Sequence, residues 1–284
     1  MDRTEQAGQA GRTAPAGHPE RAGRTARAWP AERAGQAAAR ARDWAEIQER
    51  MLVPLYEAVH DRLEVGPATS VLGLGCRSGL ALLLAAGRGA QVAGLEPEGE
   101  LRELARGRRL RVGAGHRPAA PLARSAYSLV TVFEGLPGAA DPRRTVAEAA
   151  RLTLPGGHVV VAAWGPRERC ESAAVLDVAR RMARRSTARD PFELSPPGAL
   201  EDLLAGTGLR PAGGGRVGCP FAYPDLDSAV RGLLSTGLYD AAAEFSGPPL
   251  VAKELEEALQ PYLRPDGTVR MANVFRYLIA ERPR

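Results

Sequence analysis

The chain has 284 residues, a net charge of +5 and 44% hydrophobic residues, enough for one sizeable domain and a tail. No apolar run approaches the ~20 residues of a membrane span, and no apolar leader resembling a signal peptide opens the chain. Cys76, Cys170 and Cys219 are too few and too scattered for a disulfide framework or a zinc site, so no metal is expected and a reducing cytoplasm is the simplest home.

Residues 1–42 hold eight Arg against four acids and contain no Leu, Ile, Val or Phe. They cannot bury enough apolar surface to offset ordering entropy, so they are expected to be a disordered Arg/Ala/Gly-rich tail. Most of the net charge lies there. The remaining domain, residues 43–284, is close to neutral, which argues against nucleic acid as a partner. From Trp44 the pattern changes. Ile47, Met51, Leu55, Val59 and Leu63 recur at helical spacing, predicting an amphipathic helix that ends near Gly66-Pro67. Tyr56 lies on this helix, which either covers a pocket or packs on the core.

Val71–Leu74 is a short apolar run that leads into Gly75-Cys76-Arg77-Ser78-Gly79. A helical run, Leu80–Arg88, follows, and a second apolar run ends on Glu96-Pro97. This is a strand, turn, helix, strand unit of a doubly wound sheet, with an acid about 20 residues past the turn. The glycines let a ligand approach the backbone, and the Glu96 carboxylate can accept hydrogen bonds from both hydroxyls of a ribose. The dinucleotide fingerprint places its third glycine three residues after the second. Gly75 and Gly79 are four apart, which disfavours a nicotinamide dehydrogenase.

The stretch Gly73-Leu-Gly75-Cys76-Arg77-Ser-Gly79 resembles the acid-x-Gly-x-Gly-x-Gly motif of class I S-adenosylmethionine-dependent methyltransferases. The small-molecule branch that includes ubiquinone and menaquinone biosynthesis enzymes is the nearest in pattern. Gly75, Gly79 and Glu96 keep the motif; Gly73 replaces its acid and Arg77 its middle glycine. The resemblance implies a Rossmann-like α/β fold with a doubly wound, seven-stranded mixed sheet. It also implies an N-terminal helix, a helical insert before the last strand at about 220–265, and S-adenosylmethionine as cofactor. Gly73, Gly75, Cys76, Arg77, Gly79, Glu96, Pro97, Ala114 and Phe133 then fall at cofactor-binding positions. Ala114 and Ser128 stand where the family usually has acids. Arg77 either pairs with the cofactor carboxylate or occupies its place. Each lost charged contact weakens binding by about 1.5–3 kcal/mol.

The second crossover helix is expected at Gly99–Arg108, a short third strand at Leu110–Val112 and a loop at Gly115–Ser125. Leu129–Phe133 reads as the fourth strand, ending at Phe133-Glu134-Gly135. Glu134 is the candidate acid or base near the chemistry; the alternative is an exposed loop carboxylate. A helix over Val146–Leu154, a Pro155-Gly156-Gly157 turn and a strand over His158–Trp164 follow. Later elements are a helix from Arg169 to Arg185, a helix at Ala199–Ala205 and a strand over Gly208–Cys219. The insert has helices at Leu226–Thr236 and Leu250–Tyr262, and the last strand is Val269–Ala280. Phe221, Tyr223 and Tyr239, with Tyr56, are the candidate substrate-binding residues. His60, His158 and Cys76 read as packing residues. The reaction expected is methyl transfer to a small molecule. The alternative is a methyltransferase-like protein without that activity, binding a small molecule or a protein partner.

Overall fold

The computed structural model describes residues 30–115, 126–134, 136, 141–184 and 190–284. Residues 1–29 of the expected tail, nearly all of the 115–125 loop, Gly135 and Arg185 lie outside the described residues.

The first half of the domain alternates strands and helices. It runs β1 (Ser70–Leu74), α3 (Leu80–Gly87), β2 (Gln91–Glu96), α4 (Gly99–Gly107), β3 (Val112–Ala114), β4 (Tyr127–Val132), α5 (Pro142–Leu152) and β5 (Thr153–Trp164). Among the described residues, α1 (Pro30–Asp43) and α2 (Val53–Arg62) precede it. After β5 come α6 (Ser172–Met182), β6 (Arg210–Gly218), β7 (Phe221–Tyr223), α7 (Leu226–Ser235), α8 (Asp240–Ser246), α9 (Pro248–Leu259), β8 (Val269–Met271) and β9 (Val274–Glu281).

Seven strands form one sheet in the order β3-β2-β1-β4-β5-β9-β6, while β7 and β8 pair separately. β1 to β5 are parallel, and β9 runs antiparallel to both β5 and β6. The expected mixed seven-stranded sheet is therefore present. Successive side chains alternate between two apolar layers, as the period of a strand requires. Val71, Leu129, Val160 and Ile279 enter one layer, and Leu72, Val130, Val159 and Leu278 the other. α5 starts on Pro142, with the Asp141 carboxylate accepting from the Arg144 N–H at 3.0 Å. The Pro155-Gly156-Gly157 stretch is drawn into a longer β5 with a register irregularity beside it. A Cβ on Gly157 would stand 2.8 Å from the Ser128 carbonyl oxygen, so no larger residue fits there.

Several expectations are corrected. The stretch through Arg42 is not wholly unstructured, because α1 covers Pro30–Asp43. Its support is tertiary: Ala41 is buried, and Arg40 bonds both carboxylate oxygens of Asp240 at 2.7 Å. The helix expected from Ile47 to Leu63 opens with a π-turn at Trp44–Gln48 and a 3-10 turn at Glu49–Leu52 before α2 begins. Pro54 lacks the N–H needed to carry a regular helix through this point. The third strand lies two residues later than expected, and the Ala199–Ala205 helix is a 3-10 turn at Glu201–Leu204. The single last strand is broken. Asn273 is buried between β8 and β9; its Oδ1 accepts from Ser172 N at 3.1 Å and its Nδ2 donates to Ser172 Oγ at 2.9 Å. That anchor turns β8 away to pair with β7.

Candidate functional site

The strand order reverses between β1 and β4, and a crevice opens at the carboxyl ends of these strands. A cavity of about 370 Å³ occupies it. The turn after β1 forms one wall. Gly75 N and Cys76 N both donate to Leu95 O, at 2.8 and 3.1 Å, which folds the turn against β2. Gly75, Arg77 and Gly79 all have positive φ, of 64°, 51° and 86°. Two of these positions carry the glycine that such a backbone favours; Arg77 carries a side chain there instead.

Glu96 ends β2 almost fully buried. Its Oε2 accepts from Arg77 N at 2.7 Å and its Oε1 from Glu98 N at 2.9 Å. Burial raises its pKa, opposed by the Glu98 N–H and by the charge and N–H of Arg77. Each carboxylate oxygen retains a further acceptor site.

The Arg77 guanidinium is held at the cavity rim. It donates to Glu98 Oε1 at 2.6 Å and to Ser235 O at 3.1 Å, and lies 4.2 Å from the centre of the Trp44 ring. The Ser235 carbonyl belongs to the last turn of α7, where acceptors are unsatisfied within the helix and favour a cation. Arg40 joins the same group, donating to Glu98 Oε2 at 3.1 Å as well as to Asp240. The rim thus ties α1, α4, α7 and α8 together.

Behind the turn lies a buried polar clamp. Ser78 donates to Glu49, and Arg108 forks onto Glu49 at 2.6 and 3.0 Å while also donating to Ser78 O at 3.0 Å. The π-turn brings Gln48 and Glu49 inward from a helical stretch whose apolar spacing gave no reason to bury them.

Glu134 follows β4 and borders the cavity. Tyr56 donates its hydroxyl to Glu134 Oε1, and the Tyr56 ring packs 5.1 Å from Phe133. Burial first, then the charge of Glu49, pushes the Glu134 carboxyl up to about 8. Cys76 faces the other way, into the space over Gly94; burial first, then Glu96, pushes its thiol up to about 12. Its side chain packs in that space.

The fold agrees with what known proteins show. Residues 72–161 match a family model described as a methyltransferase domain. The chain has the class I methyltransferase fold. A chain of the complex between the Trm112 methyltransferase activator of Haloferax volcanii and a candidate methyltransferase superposes with a TM-score of 0.56 at 21% identity, covering 88% of this chain and 97% of that one. A candidate methyltransferase from Bacillus halodurans gives 0.55 at 13% identity, covering 81% and 99%. The 4+2 cyclase SpnF gives 0.52 at 18%, covering 81% and 80%. No curated relative matches the sequence.

Within the methyltransferase fold, Gly75, Arg77, Glu96, Pro97, Phe133, Glu134 and Phe221 meet at the cavity. Gly73, Cys76 and Gly79 do not line it. A Cβ on Gly73 would crowd Cys76 and Leu82 at 3.0 and 3.3 Å, so this position shapes the turn from behind. Ala114 borders a separate hollow along β2 and β3. Ser128 lies near the start of β4, exchanging hydrogen bonds with Ser70, away from the cavity. Of the aromatic candidates, Tyr223 and Tyr239 turn into the core, where their hydroxyls donate to Gln48 Oε1 and Val175 O. Tyr56 does not line the cavity and reaches it through Glu134 and Phe133. Trp44, Gln48, Glu98, Trp164, Asp240 and Phe275 line the cavity without having been singled out. Among the described residues no group of acids, His or Cys suits a metal, and no helix is long and apolar enough to cross a membrane.

Proposed function

We propose that the protein transfers a methyl group from S-adenosylmethionine to a small-molecule acceptor, in a reducing cytoplasm. The observation that carries this reading is the buried Glu96 carboxylate beside the Gly75 turn, at the edge of the cavity. The residues fit the group: Gly75 leaves the backbone open, Glu96 keeps two acceptor sites for ribose hydroxyls, and Arg77 presents a cation at the rim. The bound donor supplies an activated methyl on a positive sulfur.

The chain's own residues would do the rest. Trp164, Phe221 and Phe275 exclude water from the acceptor end, so alignment carries much of the rate. When the acceptor is a hydroxyl, Glu134 would take up the proton that its oxygen releases on gaining the methyl the donor supplies. Tyr56 fixes the carboxyl that receives it. Since Glu134 is pushed up to about 8, transfer to a hydroxyl should speed up as pH rises through that value.

Calorimetric titration with S-adenosylhomocysteine, with NAD in parallel, tests the reading. Binding of the first alone, weakened by about 2–3 kcal/mol in Glu96→Ala, is expected. Equal binding by parent and variant would misplace the cofactor. A second reading is favoured by one similar fold, that of SpnF, whose name states a cyclase: the same cavity, with Glu134 as its acid or base, could serve a reaction other than methyl transfer.

A further inference from the structure

The cavity changes chemistry from rim to interior. Its rim carries Arg77, Glu98 and Asp240, already tied to one another through Arg40. Its interior is walled by Ala163, Trp164, Leu176, Phe221, Leu233 and Phe275, every one of them buried. The Trp164 ring packs 4.4 Å from Phe275 and 5.7 Å from Phe221, forming a continuous aromatic wall. Gln48 and Glu134 also line the cavity. Gln48 has its oxygen engaged by the Tyr223 hydroxyl. Glu134 has one oxygen engaged by Tyr56, which leaves the other for a ligand.

Arg77 is the only cationic side chain lining the cavity among the described residues, and its guanidinium is committed to Glu98 and the end of α7. A carboxylate or phosphate lodged against Trp164 would be stripped of water, without a counter-charge and beside an acid. That is an expensive arrangement. An ammonium would also lose its water, and Tyr56 already occupies one oxygen of Glu134.

We propose that the interior end binds a neutral, largely hydrocarbon molecule carrying one hydroxyl or carbonyl oxygen, and that Glu134, oriented by Tyr56, fixes that oxygen with a hydrogen bond. This deepens the transfer reading, on which it rests for the identification of that molecule as the methyl acceptor. The binding itself does not require the cofactor. Specificity then follows from two features: the apolar wall selects an uncharged body, and the Glu134 carboxyl sets which oxygen faces the donor.

The test is calorimetry on the full chain at pH 7 with 2-naphthol, 2-naphthoate and 2-naphthylmethylammonium, each with and without S-adenosylhomocysteine. These probes share one apolar body and differ in charge. The alcohol should bind at least tenfold tighter than either ion. Glu134→Ala should weaken the alcohol at least fivefold, while Glu134→Gln, which keeps a hydrogen-bonding group, should stay within twofold of the parent. Thermal melts of both variants confirm that each is folded. Tighter binding of either ion, no binding of the alcohol, or Glu134→Ala binding like the parent would each overturn the proposal. S-adenosylhomocysteine binding without naphthol binding would remove the acceptor class and leave the transfer reading standing. Naphthol binding without S-adenosylhomocysteine binding would do the reverse.

Discussion

Arg77→Gly sets two opposing effects against each other. At a φ of 51° a residue with a side chain costs about 1–2 kcal/mol that glycine avoids. Against this stand the contacts of a guanidinium that is only 14% exposed. Its partner Glu98 is 39% exposed, so solvent holds the ion pair at 2.6 Å to about 1 kcal/mol or less. The bond to the Ser235 carbonyl adds about 1 kcal/mol. Stacking on the buried Trp44 ring adds about 1–2 kcal/mol. The contacts outweigh the relief of strain by about 1–2 kcal/mol, which for a domain of this size lowers the melting midpoint by roughly 2–8 °C. Arg77→Ala keeps the strain and loses the contacts, so it should melt lower again. Calorimetric melts of the three proteins in one buffer measure both differences. A glycine variant as stable as the parent, or more so, would show that the rim network does not hold the cavity mouth.

Other outcomes follow from buried groups. The folded chain holds the Glu134 proton up to about pH 8 and the unfolded chain releases it near 4.5, so this group's contribution is fully present below 4.5 and lost as pH rises towards 8. The midpoint gained by Glu134→Gln over the parent should therefore be larger at pH 9 than at pH 5; equal gaps would refute the shift. Burial, reinforced by Arg88, lowers His60 from 6.5 to about 4, so its contribution is present above 6.5 and about 3 kcal/mol is lost by pH 4. His60→Leu should flatten that acid loss in urea titrations, and an unchanged slope would count against it. Arg108→Met leaves the buried Glu49 carboxylate without its fork and should cost about 3 kcal/mol. The double variant Glu49→Leu/Arg108→Met should cost less than the single one, and the opposite order would dismiss the clamp.

The sheet was legible where local chemistry and tertiary fate coincide. Val71–Leu74, the Gly75 to Gly79 turn and Glu96 are specified by neighbours in sequence, and they stand where a doubly wound unit puts them. α1 was missed because its apolar content is slight, and its anchors, Arg40 to Asp240 and Arg40 to Glu98, join residues far apart in the chain. The inward turn of Gln48 and Glu49 was missed because a 3.6-residue period hides a π-turn. Asn273 breaks the last strand through Ser172, a partner about a hundred residues away. The aromatic candidates divided for a similar reason. Spacing shows that Phe221 and Tyr223 share one strand face, but only the packed fold leaves Phe221 at the cavity while Gln48 takes the Tyr223 hydroxyl.

A crystal structure with S-adenosylhomocysteine bound tests the central claim most directly. The account predicts both ribose hydroxyls within hydrogen-bond distance of the Glu96 carboxylate, the sulfur facing Glu134 and the aromatic wall, and the amino-acid end near the Arg77 guanidinium. A ligand bound elsewhere, or one whose ribose leaves Glu96 bonded only to the Arg77 and Glu98 N–H groups, would contradict it.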